Sequence, residues 1–432
     1  MERIWSTDIS AHVGERVHIA GWLHHQRKLS QVAFVLVRDA RGVCQVVVGD
    51  AATRVELEAL ALETVLSVDG IATLAEQAPG GVELHDPKFT VIATAADECP
   101  IELRRPRLKE QLPTQLDHGA ITLRHPRRRA VSEIAAASVA GFRATLDGLG
   151  FVEIQTPKIV ASATESGANV FEIDYFGQPA FLAQSPQFYK QIMVGVHERV
   201  YEVGPVFRAE PHDTSRHLAE YVSLDAEIGF ADDHTSVMAV VTEVLVGMLE
   251  SIRERARPAL RLLDTELPDL GDIPVVDFTD AQAMIERATG EPVVGEPDLA
   301  PAHERWLGGW ALHDHRSEFV FVTGFPMSKR PFYTHPDPTR PMFSNSFDLL
   351  FRGVELITGG QRLHHYDACV AALAARGESV EPYQWYLEAF QYGMPPHGGF
   401  ALGLERWLAR LVGAGNVRET TLFPRDRNRL SP

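Results

Sequence analysis

Three stretches of the 432-residue chain bring arginines, carboxylates and glycines together at spacings suited to phosphate and metal chemistry. The first, FRAEPHDTSRHLAEYVSLDAE (207–227), sets Arg208, Glu210, Arg216 and His217 in an irregular loop between two apolar strands. An arginine opening a loop, with a second eight residues on, can clamp adjacent phosphates bidentately; the same residues can also make a surface ion-pair network. The second, FDLLFRGVELITGGQR (347–362), places Asp348 and Glu355 on either side of Arg352-Gly353. A bulge at that step would let both carboxylates converge on magnesium carried by a polyphosphate, whereas strand carboxylates otherwise commonly face solvent. Gly359-Gly360 permits close backbone approach of a ligand beside Arg362. The third, GMPPHGGFALGLERWL (393–408), runs from a glycine-rich strand into a helix bearing Arg406. No GxxxxGK[ST] occurs and no GxGxxG follows a strand, so any nucleotide must be held by side chains and other backbone.

The elements that carry these groups follow from periodicity. RVHIAGWL (16–23), VAFVLVRD (32–39) and GVCQVVVG (42–49) alternate as strands, with Ala40-Arg41-Gly42 a short turn in which glycine takes a positive φ. A helical stretch at 51–62 and two strands around Ala78-Pro79-Gly80-Gly81 complete five strands with one helix after the third. That is the order of an OB-fold barrel, and other small barrels share the pattern. Residues 1–98 form this unit. From 99 to 118 the period vanishes between prolines, as in a linker. Its Arg104, Arg105, Arg107 and Lys109, with Arg124, Arg127, Arg128 and Arg129 beyond, read as a solvated face or a phosphate-tracking strip. Residues 119–432 form the main body. A helix spans 126–148, FVEIQTPKIV (151–160) is a strand with Pro157 near its end, and a helix covers 234–257. Residues 258–318 read as an aperiodic, peripheral insertion. Strands FVFVTGF and SFDLLFRGVELI, a helix at 381–391 and a strand-to-helix segment at 393–412 complete an α+β fold.

With 58 acidic and 41 basic residues the net charge is −17, which argues against coating nucleic acid by bulk charge but permits a local basic strip. An apolar content of 45% and a charged content of 23% exclude disordered and fibrous classes. No 18-residue apolar run stands out, so no membrane span is expected, and MERIWSTDIS lacks a basic-then-apolar leader. Cys44, Cys99 and Cys369 are too far apart for a CxxC or zinc pattern and read as reduced thiols of a cytoplasmic protein.

Taken together, the three stretches resemble the signature motifs of class II aminoacyl-tRNA synthetases. GFVEIQTPKI (150–159) is similar to motif 1, FRAE with RHLAEY to motif 2, and GGFALGLER (398–406) to motif 3. ATESG (163–167), QSPQFYKQ (184–191), SLDAE (223–227) and GGQR (359–362) resemble the aspartate-specific subgroup. The lack of a large extra domain between motifs 2 and 3 resembles its archaeal type. PMSKR (326–330) has only a superficial likeness to a class I signature and is treated as coincidence.

The resemblance implies an OB barrel that reads the anticodon, and a catalytic domain whose antiparallel sheet is flanked by helices. It also implies ATP-dependent attachment of L-aspartate to tRNA through aspartyl-adenylate, with Mg2+, in a homodimer formed through motif 1. Lys190 and Arg362 would grip the aspartate side chain, Asp225 the α-ammonium, with Gln187 and Glu165 lining the pocket and Glu165 in a lid loop. Arg208 would bind the α-phosphate, His217 and Arg406 the γ-phosphate, and Tyr221 would stack on adenine. Arg208 and Arg406 would be the catalytic arginines. Glu210, Arg216, Leu218, Gly403, Leu404 and Glu405 would complete the ATP site. Asp348 and Glu355 would ligate the metal, and Thr358, often serine in the family, would contact metal or aspartate. His364, His365 and His397 are candidates for structural or phosphate contacts, with a structural role as the default.

Phe34 and Gln45 are candidates for stacking on and reading anticodon bases, although Phe34 equally suits a barrel core. His24 and Pro79 stand where strict enzymes of this type tend to carry tryptophan and lysine. That pattern resembles the non-discriminating subgroup, which charges both tRNA-Asp and tRNA-Asn and passes the second product to an amidotransferase. The alternatives are a discriminating aspartyl enzyme, an asparaginyl enzyme, an asparagine-making amidating enzyme and a catalytically dead RNA-binding relative. Lys190 beside Arg362 favours a charged side chain, because an amide would leave one buried cation unpaired.

Overall fold

The computed structural model describes residues 2–162 and 169–432, and the chain divides into two compact units, Met1–His125 and Pro126–Pro432. In the first, β1 (Arg16–Lys28), β2 (Ala33–Arg38), β3 (Val43–Val48), α1 (Ala51–Glu58), β4 (Val65–Leu74) and β5 (Val82–Ala93) form a closed barrel in the order β1-β2-β3-β5-β4. Strand alternation sends Ile19, Leu23, Val35, Val37, Val46, Leu66, Val68 and Leu84 into its core. The β2–β3 turn departs from expectation, since Gly42 has no positive φ. Instead the Asp39 carboxylate accepts from the N–H of Arg41 at 2.7 Å and of Gly42 at 2.9 Å, so a side chain closes the turn. Positive φ is needed after Pro79, at Gly80 (71°) and Gly81 (74°).

The stretch read as a linker contains two short helices, α2 (Leu112–Asp117) and α3 (Gly119–Thr122). Pro113 lies in the first turn of α2, where its missing N–H costs no hydrogen bond, so the proline starts a helix there. Arg104, Arg105, Arg107 and Lys109 are exposed, and several of the basic residues have partners within their own unit. Arg104 pairs with Glu102, Arg124 with Glu63, and Arg128 donates to the Glu419 carbonyl.

The second unit begins with α4 (Pro126–Gly148), as the spacing predicts. FVEIQTPKIV then yields two short strands, β6 (Val152–Glu153) and β7 (Ile159–Val160), which belong to different sheets. Glu202 separates them: its carboxylate accepts from Thr156 N–H and Oγ1 and from Lys158 Nζ, drawing the segment out of strand pairing. Next come β8 (Glu172–Tyr175), β9 (Gln178–Leu182), α5 (Gln187–His197), β10 (Arg199–Phe207), β11 (Glu220–Gly229), α6 (His234–Arg255) and α7 (Arg257–Leu263).

Residues 258–318 are regular where the sequence suggested none. They add β12 (Val275–Asp277), α8 (Phe278–Thr289) and α9 (Pro301–His315), with α8 capped by Asp277 and a core built on Phe278, Ile285 and Leu307. Then β13 (Phe319–Thr323), β14 (Ser346–Phe351), β15 (Val354–Arg362), α10 (Tyr366–Ala375), α11 (Gln384–Gln391), β16 (His397–Gly403) and α12 (Leu404–Leu411) follow. α10 is a helix that the periodicity did not reveal.

Eight strands form one sheet, β12-β13-β14-β15-β16-β11-β10-β6, antiparallel except for its two outermost pairs. On one face Phe321, Phe347, Leu349, Phe400 and Leu402 pack beneath α4 and α6. Those helices cross closely because a Cβ on Gly141 would lie 2.7 Å from Met248 Cα. α6 is itself long and apolar enough to cross a bilayer, contrary to the run-length expectation, but Val237, Val241, Val244, Leu245, Met248 and Ile252 are all buried in this core.

Candidate active site

The opposite face of the sheet is hollow because of what β16 lacks. Its residues 399, 401 and 403 are Gly, Ala and Gly, while Phe400 and Leu402 point into the core. A Cβ on Gly399 would overlap the Glu227 carboxylate, so the site cannot accept a larger residue there. Pairing runs in one row across Asp225, Ala401, Thr358 and Asp348, which puts residues from four strands on the same face. The cavity above this row is about 330 Å³. Of the sequence-derived set it is lined by Gln187, Arg208, Glu210, Arg216, His217, Leu218, Tyr221, Glu355, Thr358, Arg362, Gly403, Glu405 and Arg406.

Beneath its floor lies a buried quartet of charges, of which Arg362 alone lines the cavity, while Lys190, Asp225 and Glu227 lie behind it. Lys190 Nζ, presented by α5, is 2.9 Å from Asp225 Oδ1 and 3.3 Å from Glu227 Oε2, and Arg362 Nε donates to Glu227 Oε1 at 2.9 Å. Arg362 also donates to the Gly399 carbonyl at 3.0 Å, and Ser223 Oγ donates to Asp225 Oδ2 at 2.5 Å. Glu227 is fully buried; burial raises its pKa, but Arg362 and Lys190 outweigh that and hold its carboxyl below the usual range. Both cations therefore already have carboxylate partners. An amide substrate would thus not strand either of them, because Glu227, two residues beyond Asp225 on the same strand face, pairs with both. Gln191 completes the floor: its Nε2 donates to His397 Nε2 at 2.9 Å, while His397 Nδ1 donates to the Pro395 carbonyl. His397 is thus structural, and burial lowers its pKa to about 4.

The phosphate-suited groups gather at the other end. The loop after β10 is tied down by the C-terminal segment, since Arg418 Nη1 donates to the Thr214 carbonyl at 3.0 Å and its Nη2 pairs with Asp213 at 2.6 Å. The Arg208 guanidinium lies 5.8 Å from the Tyr221 ring centre. Arg406 leaves α12 on the cavity side, donating to the Glu355 carbonyl at 2.9 Å, whereas Leu404 packs in the core. The helical period separates those two faces, so the Leu404 side chain does not reach a nucleotide. Glu405 lines the cavity, but its carboxylate accepts the Val222 N–H at 3.1 Å, and burial pushes its pKa to about 7.

Asp348 and Glu355 do converge, by a different device from the one expected. Arg352-Gly353 is a two-residue hairpin turn with both φ positive (49° and 70°), and its strands pair from Phe351 to Val354. The bulge lies further on, at Leu356, where Leu349 pairs with Ile357 but Leu350 with Glu355. It reverses the alternation, so Glu355, three residues from Thr358, shares its face, and Thr358 Oγ1 donates to Glu355 Oε1 at 3.3 Å. Asp348 accepts from Arg330 Nη2 at 2.9 Å. Burial, reinforced by Glu355 and opposed by Arg330, raises the Asp348 pKa to about 7. Among the described residues no cluster of three or more metal-ligating side chains exists. Two hard carboxylates and a hydroxyl therefore fit a divalent cation that brings most of its shell as phosphate and water oxygens.

Arg330, from the PMSKR segment, lines the cavity with Tyr333 and Thr334, a role unrelated to that segment's likeness to a class I signature. Only the fold brings Arg330 to Asp348, eighteen residues further along the chain. Glu165 lies outside the described residues.

In the barrel unit, Phe34 is half-buried on the outer face rather than in the core, and Gln45 on the same face donates to Glu83 at 2.6 Å. His24 sits at a bulge in β1, its Nδ1 accepting from Arg38 Nη1 at 3.2 Å; burial and then Arg38 lower its pKa to about 4. Pro79 is exposed in the β4–β5 turn.

Residues 111–427 match the model of tRNA synthetases class II (D, K and N), and residues 17–92 that of the OB-fold nucleic acid binding domain. An aspartate–tRNA(Asp/Asn) ligase of Thermus thermophilus is 44% identical over 100% of both chains. An aspartate–tRNA(Asp) ligase of Pyrococcus abyssi is 37% identical over 99% of each. The crystal structure of asparaginyl-tRNA synthetase from Pyrococcus horikoshii complexed with asparaginyl-adenylate superimposes with a TM-score of 0.93 at 30% identity, covering 100% of both chains. With the barrel, the sheet and the three signature segments in place, the chain belongs to the class II tRNA synthetases of the D, K and N group.

Proposed function

We propose that this protein activates L-aspartate with ATP and transfers it to tRNA-Asp and also to tRNA-Asn, as a cytoplasmic homodimer. The observation that carries this reading is that Arg362 lines one cavity with Arg208, His217 and Arg406 and is joined behind the cavity wall to Glu227, Lys190 and Asp225 in a buried charge network. Asp225 has the charge to receive an α-ammonium, and Lys190 and Arg362 have the charge to receive a side-chain carboxylate. Arg208 and Tyr221 would hold the α-phosphate and adenine, while His217, Arg216 and Arg406 would take the outer phosphates. The aspartate carboxylate then attacks the α-phosphorus as pyrophosphate leaves, and the terminal tRNA hydroxyl afterwards attacks the mixed anhydride. No protein nucleophile is needed: positioning and charge compensation lower the barrier. Asp348, Glu355 and Thr358 would hold Mg2+, which when bound neutralises phosphate charge.

His24 and Pro79 support relaxed tRNA choice: Pro79 has no N–H or side-chain donor with which to reject one base. A tRNA-dependent amidotransferase would then convert Asp-tRNA-Asn. The exact names of the relatives, (Asp/Asn) in Thermus and (Asp) in Pyrococcus abyssi, mark the two outcomes. The apolar stripe of α4 is spent internally on α6, so a two-fold contact would instead use exposed apolar side chains around the motif-1-like segment, such as Val152 and Ile159.

Aspartate-dependent ATP–pyrophosphate exchange, with asparagine as the competing substrate, followed by aspartylation of purified tRNA-Asp and tRNA-Asn transcripts, tests the reading. Exchange with asparagine but not aspartate would overturn it. A preference for tRNA-Asp above ~100-fold, about 2.7 kcal/mol, would leave a discriminating enzyme.

A further inference from the structure

Beside the main cavity lies a second one of about 270 Å³, which shares Arg216, His217, Glu355 and Arg406 with it. The 258–318 segment contributes Asp298, Leu299, Pro301 and Glu304 to its wall, in and just before the first turn of α9, beside Phe325, Asp348, Leu350 and Val354. Each of its inner carboxylates has one arginine partner: Asp348 has Arg330 at 2.9 Å, Glu355 has Arg406 at 3.4 Å, and Glu304 has Arg216 at 3.8 Å. Glu304 differs from the other two in coming from outside the sheet. The same Oε2 that faces Arg216 accepts the Glu355 backbone N–H at 3.3 Å, so the carboxylate is anchored to the very strand that bears the metal-suited residues. Its side chain is 14% exposed, which leaves little water to screen its charge.

We propose that Glu304 is a positioning residue for release of the pyrophosphate product: it is the resting partner of Arg216 and repels the polyanion that draws Arg216 away. The inference rests on the assignment of this end of the site to the outer phosphates of ATP. Binding of a triphosphate exchanges the Arg216–Glu304 pair for Arg216–phosphate, leaving Glu304 uncompensated next to negative charge. When the α-phosphorus bond breaks, that repulsion and the return of Arg216 to Glu304 both favour departure. The segment that seemed peripheral in sequence thereby sets product affinity.

The test is Glu304→Gln, which removes the charge and keeps an oxygen acceptor for the Glu355 N–H. Inorganic pyrophosphate binding by calorimetry, with Mg2+, should tighten about tenfold. KM for ATP should fall with it, KM for aspartate should stay within twofold, and kcat should fall where release limits turnover. A Glu304→Asp variant, retaining the charge but withdrawing it from Arg216, should tighten pyrophosphate binding by a smaller factor, and gives the answer if the amide variant does not fold. Unchanged or weaker pyrophosphate binding in a folded variant overturns the inference, as does an increased Mg2+ requirement, which would make Glu304 a metal ligand. Failure of the functional reading is distinct: it shows as absence of aspartate-dependent exchange in the unaltered protein.

Discussion

Lys190 is 1% exposed and touches two carboxylates and the Phe400 carbonyl, so its removal does more than empty a substrate contact. Lys190→Met leaves Asp225 and Glu227 with one cation between them. We expect a loss of about 3–5 kcal/mol in urea unfolding together with loss of aspartate activation, because breaking a buried pair leaves an uncompensated charge. A variant of unchanged stability would mean that the quartet is not the ion network described. Glu355 is a different case, since its carboxylate is 41% exposed and Thr358 and Arg406 share it. Glu355→Gln should keep the fold and aspartate binding, and should cut ATP–pyrophosphate exchange by about 100-fold, or ~2.7 kcal/mol, with a raised Mg2+ requirement. Exchange at the ordinary rate under limiting Mg2+ would remove Glu355 from the metal shell.

β16 shows how a single element constrains the site, with its small residues hollowing one face while Phe400 and Leu402 anchor the other. At its start, His397 is wedged between Gln191 and the Pro395 carbonyl with a pKa lowered to about 4, against 6.5 ordinarily. In that interval the unfolded chain binds a proton that the folded chain refuses. The contribution of neutral His397 is thus complete above pH 6.5 and is lost as pH falls toward 4, by roughly 3 kcal/mol. His397→Gln cannot titrate. Urea unfolding of both proteins at pH 7 and pH 4.5 should show the stability gap between them closing at the lower pH; a constant gap would mean that His397 accepts a proton in the folded state. Glu405, raised to about 7, works in the opposite direction over pH 4.5–7 in both proteins and cancels from the comparison.

At the scale of the whole molecule, the groups assigned to activation all lie in Pro126–Pro432, whereas His24 and Pro79 lie in Met1–His125. Changing the barrel should therefore alter tRNA choice and leave activation of aspartate alone. We expect His24→Trp with Pro79→Lys to reduce aspartylation of tRNA-Asn relative to tRNA-Asp by about tenfold or more, with tRNA-independent exchange unchanged. An unaltered ratio would exclude these positions as the selector. The homodimer is checked by sedimentation at micromolar concentration, where a monomeric mass would exclude it.

How far the sequence alone could reach is visible in particular residues. Strand alternation located the barrel, helical spacing located α4, and the arginines of the cavity were legible because each motif is contiguous in the chain. Those signals are local, extending over a few residues of one strand or helix. Tertiary structure alone decided the remainder. It joined Arg362 to Glu227 across 135 residues, brought Arg330 to Asp348, and carried Glu304 from a segment without period to Arg216. The bulge at Leu356 likewise turned Glu355 toward Thr358 against simple alternation. Such pairings depend on sheet register and on which helix covers which edge. Their driving force, compensation of charge buried away from water, acts between groups that no short window of sequence contains together.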